Sequence, residues 1–313
     1  QHIPLGVKAP QNKGVQIAAL EIPDGITAIL EDKEKNVWLT TKRGIAKFHG
    51  FHFLHYGKEE NLASNQISAM LTDSKNNHWF TYYDKGLSVC DADSCRHFTE
   101  KDGLTSNTIY DIISYKDDEI WLATKKGLLS YKNNKFQQII FDTEDTEQSA
   151  NMLEKDKENN IWIITRKDLY KYDGKEFKKY KIKALERPFS SYYYRVINHF
   201  LIDEQNNIWL ASLEGMFRFN AKTDEFEYVG GEHFFDVVRD MAADSHGNLW
   251  IVKEEGGLLR YDGKFIIEFS ELEGLSSNNI RSIAISDDVA FLGTVNGINQ
   301  FNIKKTLTIQ CFF

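Results

Sequence analysis

The sequence predicts an all-β fold, a single seven-bladed β-propeller of four-stranded antiparallel blades that occupies residues 1–313. Two observations predict it: large aromatic residues recur at a nearly constant interval, and short apolar segments separated by turn residues recur with the same period. A unit of about 40 residues is typical of a propeller blade, which buries its faces only when neighbouring blades stack on it.

The aromatic residues mark one strand in each predicted blade. They are separated by 41, 42, 41, 47, 41 and 41 residues. The blades are centred on Trp38, Trp79, Trp121, Trp162, Trp209, Trp250 and Phe291. The flanking residues are apolar and rich in β-branched types, as at 36–41, 119–124, 207–212 and 248–253, which is typical of buried strands.

The rest of each unit reads as a meander. A glycine usually follows six residues after the aromatic residue and marks the turn into a third strand. That strand ends in an aromatic residue and a turn, which is Asp-Gly at 173–174 and 262–263, a strong hairpin signal. A fourth strand of alternating character follows, as at residues 51–56 and 177–180.

Ring closure requires an outer strand for the last blade, and two segments can supply it. Residues 15–20 precede the first unit, and residues 307–313 end the chain. The first segment is favoured because residues 15–25 resemble the outer strand and linker of other units. A local hairpin made by the second segment is the alternative.

Composition limits the function classes. The chain has 42% hydrophobic residues, 27% charged residues and a formal net charge of −8, so no concentrated basic face for nucleic acid is expected. No apolar segment approaches the roughly 20 residues of a membrane-spanning helix. Of the three cysteines, Cys90 and Cys95 flank a predicted hairpin turn, where a disulfide and two packed thiols are equally compatible with the sequence.

A recurring linker motif carries a family resemblance. The motif is Asn-Leu-Ala-Ser-Asn-Gln-Ile at 61–67, Gly-Leu-Thr-Ser-Asn-Thr-Ile at 103–109 and Gly-Leu-Ser-Ser-Asn-Asn-Ile at 274–280. Together with the tryptophan strands, it makes residues 15–313 resemble the two-component regulator propeller repeat. That resemblance implies a periplasmic or otherwise extracytoplasmic sensor that binds a small polar ligand or oligosaccharide and works with a sensor kinase or other signalling module. Neither a kinase motif nor a DNA-binding module is recognised in this sequence.

The predicted ligand face is the end of the propeller where the blade linkers and the loops between second and third strands meet. An insertion at 182–195 adds exposed aromatic and arginine residues, which suit hydroxyl-rich or protein ligands. The candidate ligand-binding residues are Arg43, Tyr82, Tyr83, Lys126, Arg166, Arg187, Tyr192, Tyr193, Tyr194 and Arg195. Solvated turns and tyrosines packed between blades are the structural alternatives.

Other motifs favour structural roles. The Asp/Asn turns before the tryptophans lack the acidic series of a calcium loop and are predicted to bond their own backbone. Asn65, Asn107 and Asn278 are predicted to cap linker turns. No metal, cofactor or catalytic motif is recognised, and the chain is predicted not to be an enzyme. Two alternatives remain: a protein-interaction scaffold with a broad surface patch, or a propeller lyase related to streptogramin lyase, which requires a His/acid pair at the axis with perturbed pKa values.

Overall fold

The computed structural model is an all-β molecule. It describes residues 7–8, 18–20, 26–31, 37–41, 44–49, 52–56, 62–91, 94–141, 149–165, 168–180, 197–212, 215–229, 238–254, 256–273, 275–286, 288–295 and 297–303. Within these ranges no helix is both long and apolar enough to cross a lipid bilayer.

The described strands form seven sheets, in which neighbours along the chain pair antiparallel. The sheets contain β3 to β6 (Ile26–Glu31, Val37–Thr41, Gly44–His49, His52–Tyr56); β7 to β10 (Ile67–Thr72, His78–Tyr82, Leu87–Cys90, Cys95–Phe98); β11 to β14 (Ile109–Ser114, Ile120–Thr124, Gly127–Lys132, Lys135–Ile139); β15 to β18 (Met152–Lys155, Ile161–Ile164, Leu169–Tyr172, Phe177–Tyr180); β19 to β22 (Ile197–Ile202, Ile208–Ser212, Gly215–Asn220, Glu225–Val229); β23 to β26 (Val238–Ala243, Leu249–Lys253, Leu258–Tyr261, Ile266–Phe269), with β1 (Val7–Lys8); and β27 to β29 (Ile280–Ser286, Val289–Thr294, Gly297–Asn302), with β2 (Ala18–Leu20).

Burial follows the position of each strand in its sheet. The second strands β12 and β20 are buried along their whole length, whereas the fourth strands β14 and β22 have exposed residues. A second strand is covered on both faces by neighbouring sheets, so its sequence is a continuous apolar run. Each of the seven aromatic residues lies in such a strand, as the sequence predicted.

The sheets stack side by side around an axis, which makes the molecule a β-propeller. The first strands β7, β11, β15, β19, β23, β27 and β3 contact one another in that order. The ring closes where Trp38 packs against His78 and Phe80, with ring centroids 5.2 and 6.4 Å apart. Each interface is apolar, as where Trp250 packs against Phe269 and Phe301.

In four turns before the tryptophans, an aspartate side chain holds the turn together. Asp156 accepts hydrogen bonds from the backbone N–H of Asn160 (2.8 Å), from its side-chain amide (2.8 Å) and from the indole N–H of Trp162 (3.1 Å). Asp73, Asp203 and Asp244 make the equivalent bonds in their own turns. The prediction that these turns are structural is confirmed for these four.

The N-terminal strands correct the predicted architecture. Six sheets have the four antiparallel strands that the sequence predicted. The prediction of uniform four-stranded antiparallel blades is wrong for the sheet of β23 to β26, where β1 adds a fifth strand that pairs parallel with β26. A two-residue strand carries no period, so nothing in the sequence indicates it. β2 pairs with β29 through Ala18 and Gln300, so the N-terminal segment closes the last sheet, as favoured.

Two local predictions are resolved by the structure. Cys90 and Cys95 form a disulfide across β9 and β10. Asn107 accepts a hydrogen bond from the Glu100 backbone and returns one to the Glu100 carboxylate, and Asn278 does the same with Glu271. The predicted capping role is therefore confirmed for these two asparagines.

Candidate functional site

A shift in strand pairing positions side chains at the centre of the ring. In six first strands the register shifts by one residue near the start of the strand. Such a bulge re-aims the next side chain, and bulges are frequent beside functional sites. The first paired residues after the shift are Ala28, Ala69, Asp111, His199, Asp240 and Ser282.

The best-defined contact in this region is an ion pair between neighbouring first strands. His199 Nε2 lies 2.7 Å from Asp240 Oδ1, with side-chain exposures of 25% and 18%. Asp240 also accepts hydrogen bonds from the backbone N–H groups of Met241 (2.8 Å) and Ile283 (2.9 Å). Burial alone would lower the pKa of His199, but the Asp240 carboxylate, together with the charges of Glu154 and Asp111, more than reverses this, so the pKa lies above its ordinary value.

Two more carboxyl groups join the pair from the preceding strands. Burial raises the pKa of Asp111 to about 6, even though its oxygens accept backbone bonds from Ile112 and Leu153. Burial and the charge of Asp111 raise the pKa of Glu154 to about 8. Asp111, Glu154, His199 and Asp240 form the axial cluster, in which four successive sheets each contribute one titratable group.

Some polar atoms of this region are unsatisfied. His199 Nδ1 and Ser282 Oγ are buried without a hydrogen-bond partner in the described part of the chain. Ser282 is only 4% exposed and follows the same register shift as His199 and Asp240. Buried polar atoms normally have partners, so these two atoms have unused capacity to bind a ligand.

An aromatic pair adjoins the cluster. Tyr83 follows β8, is 52% exposed, and packs edge-on against Tyr110 with ring centroids 6.5 Å apart. Burial, Tyr110 and the charge of Asp111 together raise the pKa of Tyr83, which places its hydroxyl within electrostatic reach of the axial cluster. A ligand at this position therefore meets an aromatic surface beside buried polar groups.

Several charged groups in the described loops and strand ends are paired. Lys126 Nζ lies 3.6 Å from Glu100, Arg239 Nε donates to Glu254 at 2.7 Å, and Lys253 Nζ lies 2.8 Å from Glu268. Glu154, in contrast, makes no ion pair with any described cation.

The structure separates the predicted site residues into three groups. Tyr83 and Lys126 are exposed on loops between second and third strands, as expected. Tyr82 is fully buried and its hydroxyl lies 2.7 Å from Ser88 Oγ, so this side chain packs inside the sheet interface. The remaining predicted residues lie outside the described residues: Arg43, Arg166, Arg187, Tyr192, Tyr193, Tyr194 and Arg195.

The axial cluster was not among the predicted site residues, although the sequence carries a signal for it. Asp111, His199 and Asp240 each lie ten residues before the tryptophan of their unit, where other units have Ala28, Ala69 and Met152. Alignment of the units on tryptophan therefore reveals a position with titratable residues in three units. Among the described residues, no group of three or more His, Cys, Asp or Glu has the arrangement of a metal site.

Comparison with known proteins supports the fold. No family model matches the chain, and no curated protein matches it. The extracellular domain of the hybrid two-component system BT3049 from B. thetaiotaomicron superposes with a TM-score of 0.72 at 20% identity, over 92% of this chain and 42% of that one. The extracellular domain of BT4673 from the same organism gives 0.74 at 18%, over 91% and 39%.

Enzymes share the fold as well. An inactive variant of virginiamycin B lyase from Staphylococcus aureus, solved with quinupristin, gives a TM-score of 0.74 at 12% identity, over 92% of this chain and 99% of that one. The chain is thus a β-propeller of the kind found in extracellular two-component sensor domains, which confirms the sequence resemblance at the level of fold. It spans about two fifths of the BT3049 and BT4673 chains.

Proposed function

We propose that this chain is an extracytoplasmic sensing propeller that binds a small polar ligand, such as a carbohydrate, beside its axis. One observation carries the proposal: the exposed Tyr83 ring packs on Tyr110 beside Asp111, and Asp111 belongs to the axial cluster, in which the buried His199 Nδ1 has no described hydrogen-bond partner. Aromatic faces contact sugar rings, and buried polar groups select the hydroxyls. Lys126 and the predicted residues outside the described ranges extend this binding surface in the proposal.

Two observations support the location and the signalling role. The superposed BT3049 and BT4673 domains are extracellular parts of two-component systems. The Cys90–Cys95 disulfide is typical of an oxidising compartment. In this proposal, ligand binding is transmitted to a sensor kinase or another signalling module.

A thermal-shift screen against oligosaccharides tests the proposal. A ligand that binds only the folded state at 100 times its Kd stabilises it by about 2.7 kcal/mol. We expect one glycan class to raise the melting temperature, and Tyr83→Ala to abolish the shift. Phe265→Ala is the matched control, because Phe265 is also an exposed aromatic residue (43%) but lies in the turn between β25 and β26. Equal shifts in both variants would contradict a site at Tyr83.

The insertion is tested in the same screen. Tyr193→Ala should weaken the shift if the 182–195 segment contributes to the ligand face. If no glycan raises the melting temperature and a pull-down recovers a stable protein partner, the scaffold function replaces the carbohydrate sensor.

A second candidate function is acid–base catalysis, which is favoured by the His199–Asp240 pair. His199 bonded to a carboxylate can transfer protons, and Glu154, with a pKa of about 8, can act as a general acid near neutral pH. Virginiamycin B lyase, which shares this fold, is an example of an enzyme built on such a propeller.

Recovery of the bound ligand distinguishes the two functions. After incubation with a stabilising glycan, or with quinupristin, mass spectrometry of the released material should return unchanged ligand from a sensor. A product that forms with the wild type but not with His199→Ala would instead establish catalysis.

A further inference from the structure

The hairpin of β9 and β10 carries two cross-strand links on one face. Cys90 pairs with Cys95, and Ser88 pairs with His97. Alternate residues of a strand point to the same face, so the two pairs are neighbours. The first pair is joined by the disulfide, and in the second His97 Nδ1 lies 2.7 Å from Ser88 Oγ. The covalent bond therefore holds the register in which the adjacent hydrogen bond forms.

The hydrogen bonding continues from this hairpin to the proposed site. Ser88 Oγ also lies 2.7 Å from the hydroxyl of Tyr82, and both residues are fully buried. A serine hydroxyl has one donor and two acceptor sites, so it can bond both neighbours. The backbone N–H of Tyr82 donates to Gly86 O at 3.0 Å, which closes the loop that contains Tyr83. His97, Ser88 and Tyr82 thus form a hydrogen-bonded chain, the polar path, from the outer strand to the binding loop.

The polar path distinguishes the sheet of β7 to β10 from other sheets. The residues equivalent to Ser88 in four other sheets are apolar: Ala46, Leu129, Phe217 and Leu259. At the position of Tyr82 the third sheet has Thr124, whose hydroxyl donates within its own loop to Gly127 O at 2.8 Å. A buried polar side chain costs free energy unless it is hydrogen-bonded, so Ser88 at an otherwise apolar position indicates that the link matters.

We propose that the Cys90–Cys95 disulfide is a redox-modification site and that its reduction by a dithiol loosens the Tyr83 loop through the polar path. This inference rests on the proposed function and concerns the regulation of that site. The oxidised form holds Tyr83 in its binding position, and the reduced form binds the ligand more weakly.

The bridge lies where a thiol can reach it. Cys95 is half-buried on β10, whose central residues Arg96 and His97 are exposed. A thiolate of the reductant attacks Cys95 Sγ and releases Cys90 as a thiolate, which takes up a proton. The second thiol of the reductant then attacks the mixed disulfide, releases Cys95 as a thiol and closes the reductant's own disulfide. Two electrons and two protons thus pass from the dithiol to the protein.

Cleavage should loosen the hairpin without unfolding the propeller. The bridge joins residues that are 5 apart in sequence within one hairpin, so it does not hold one sheet to another. Closure of so short a loop favours the closed hairpin over the open one about 30-fold. After reduction the ratio of open to closed hairpins should rise by this factor, and each opening breaks the hydrogen bond between His97 and Ser88.

Hydrogen exchange followed by mass spectrometry tests the loosening in the whole chain. Cys311→Ser is the background, because it leaves only the two bridged cysteines. Dithiothreitol without denaturant should reduce the bridge, as measured by thiol titration, and the amides of residues 87–98 should then exchange about 30-fold faster. The equivalent hairpin at 127–139 is the internal control and should exchange as before. A bridge that resists dithiothreitol until the protein unfolds, or unchanged exchange at 87–98, would overturn the inference.

Fluorine NMR of protein labelled with 3-fluorotyrosine tests the polar path. The Tyr83 signal, assigned with Tyr83→Phe, should shift or broaden on reduction. Tyr82→Phe and Ser88→Ala each interrupt the path, so in both variants the bridge should still be reduced while the Tyr83 signal no longer responds. Tyr261→Phe is the matched control, because it removes a hydroxyl that donates to Gly263 O in another sheet, and the response should remain. A response that survives in both Tyr82→Phe and Ser88→Ala would contradict the path.

The glycan screen separates this inference from the proposed function. A glycan that stabilises the oxidised protein should raise the melting temperature of the reduced protein by less. An equal rise in both forms would overturn the regulation and leave the sensing site in place. If no glycan acts on either form, but reduction accelerates exchange at 87–98 and changes the Tyr83 signal, the proposed ligand class fails and the redox site stands.

Discussion

Removal of one turn aspartate should destabilise the whole propeller. Asp156, which is 4% exposed, holds the backbone and side-chain N–H groups of Asn160 and the indole N–H of Trp162, which is fully buried. In Asp156→Ala these three donors lose their acceptor, at about 1–1.5 kcal/mol each, so the free energy of unfolding should fall by about 3–4 kcal/mol. For a domain of this size the melting temperature should then fall by about 6–8 °C.

The effect should depend on pH in a defined direction. Burial raises the pKa of Asp156, but the hydrogen bonds from Asn160 and Trp162 and the charge of Lys171 together outweigh it, so the pKa lies below its ordinary value. A carboxyl with a lowered pKa stabilises the folded state above the ordinary value, and this contribution is lost as the pH falls through the lowered pKa. The stability difference between wild type and Asp156→Ala should therefore be largest near neutral pH and smaller in acid.

Urea unfolding followed by tryptophan fluorescence measures the change in the free energy of unfolding, and thermal unfolding measures the change in the melting temperature. Asp173→Ala is the control, because Asp173 makes similar bonds to Lys175 and Glu176 in an exposed turn; its melting temperature should match the wild type. The double variant with Trp162→Phe should cost less than the sum of the single variants, since one donor is removed along with its acceptor. Melting of Asp156→Ala within about 1 °C of the wild type would refute this reasoning.

Three other predictions follow from local geometry. Replacement of Cys90 and Cys95 by serine should lower the free energy of unfolding by about 2 kcal/mol, measured in urea, since the bridge closes only a short loop; no change on reduction would show an unbridged pair. Gly86→Ala should cost at least about 2 kcal/mol, because Gly86 has a φ of +75° and a Cβ would lie 2.1 Å from Phe98 O. Burial raises the pKa of Glu154 from 4.5 to about 8, so stability should decline as pH rises between these values; Glu154→Gln should flatten that profile, and an unchanged slope would contradict the shift.

The repeat of the aromatic residues and the apolar composition of the second strands predict the sheets because both are properties of short segments of the sequence. Trp121 and its flanks form a strand covered on both faces, and a continuous apolar run is the direct sequence record of that burial. The Asp156 turn is equally local, since its partners lie within six residues. Features of this kind are readable from one unit and are reinforced by every repeat.

The axial cluster is harder to read because it is formed by residues far apart in the chain. Asp111 and Asp240 are separated by three units, and each occupies a position that is alanine in the first two units. Neither residue belongs to a local motif, and only the register shift in each first strand directs them to the axis. Tyr82 and Tyr83 show the converse limit: they are adjacent in sequence, but Tyr82 ends β8 and is buried, whereas Tyr83 lies in the following loop and is exposed.

The pairing of β2 with β29 has a consequence for the order in which the molecule assembles. Ala18 cannot meet Gln300 until the ribosome has synthesised all the residues between them, whereas each intervening hairpin can form as soon as its own residues emerge. The interior sheets can therefore fold early, while the last sheet keeps an open edge until the end. Until then that edge is available to pair with another chain, so a chaperone or rapid late closure should determine the yield of soluble protein.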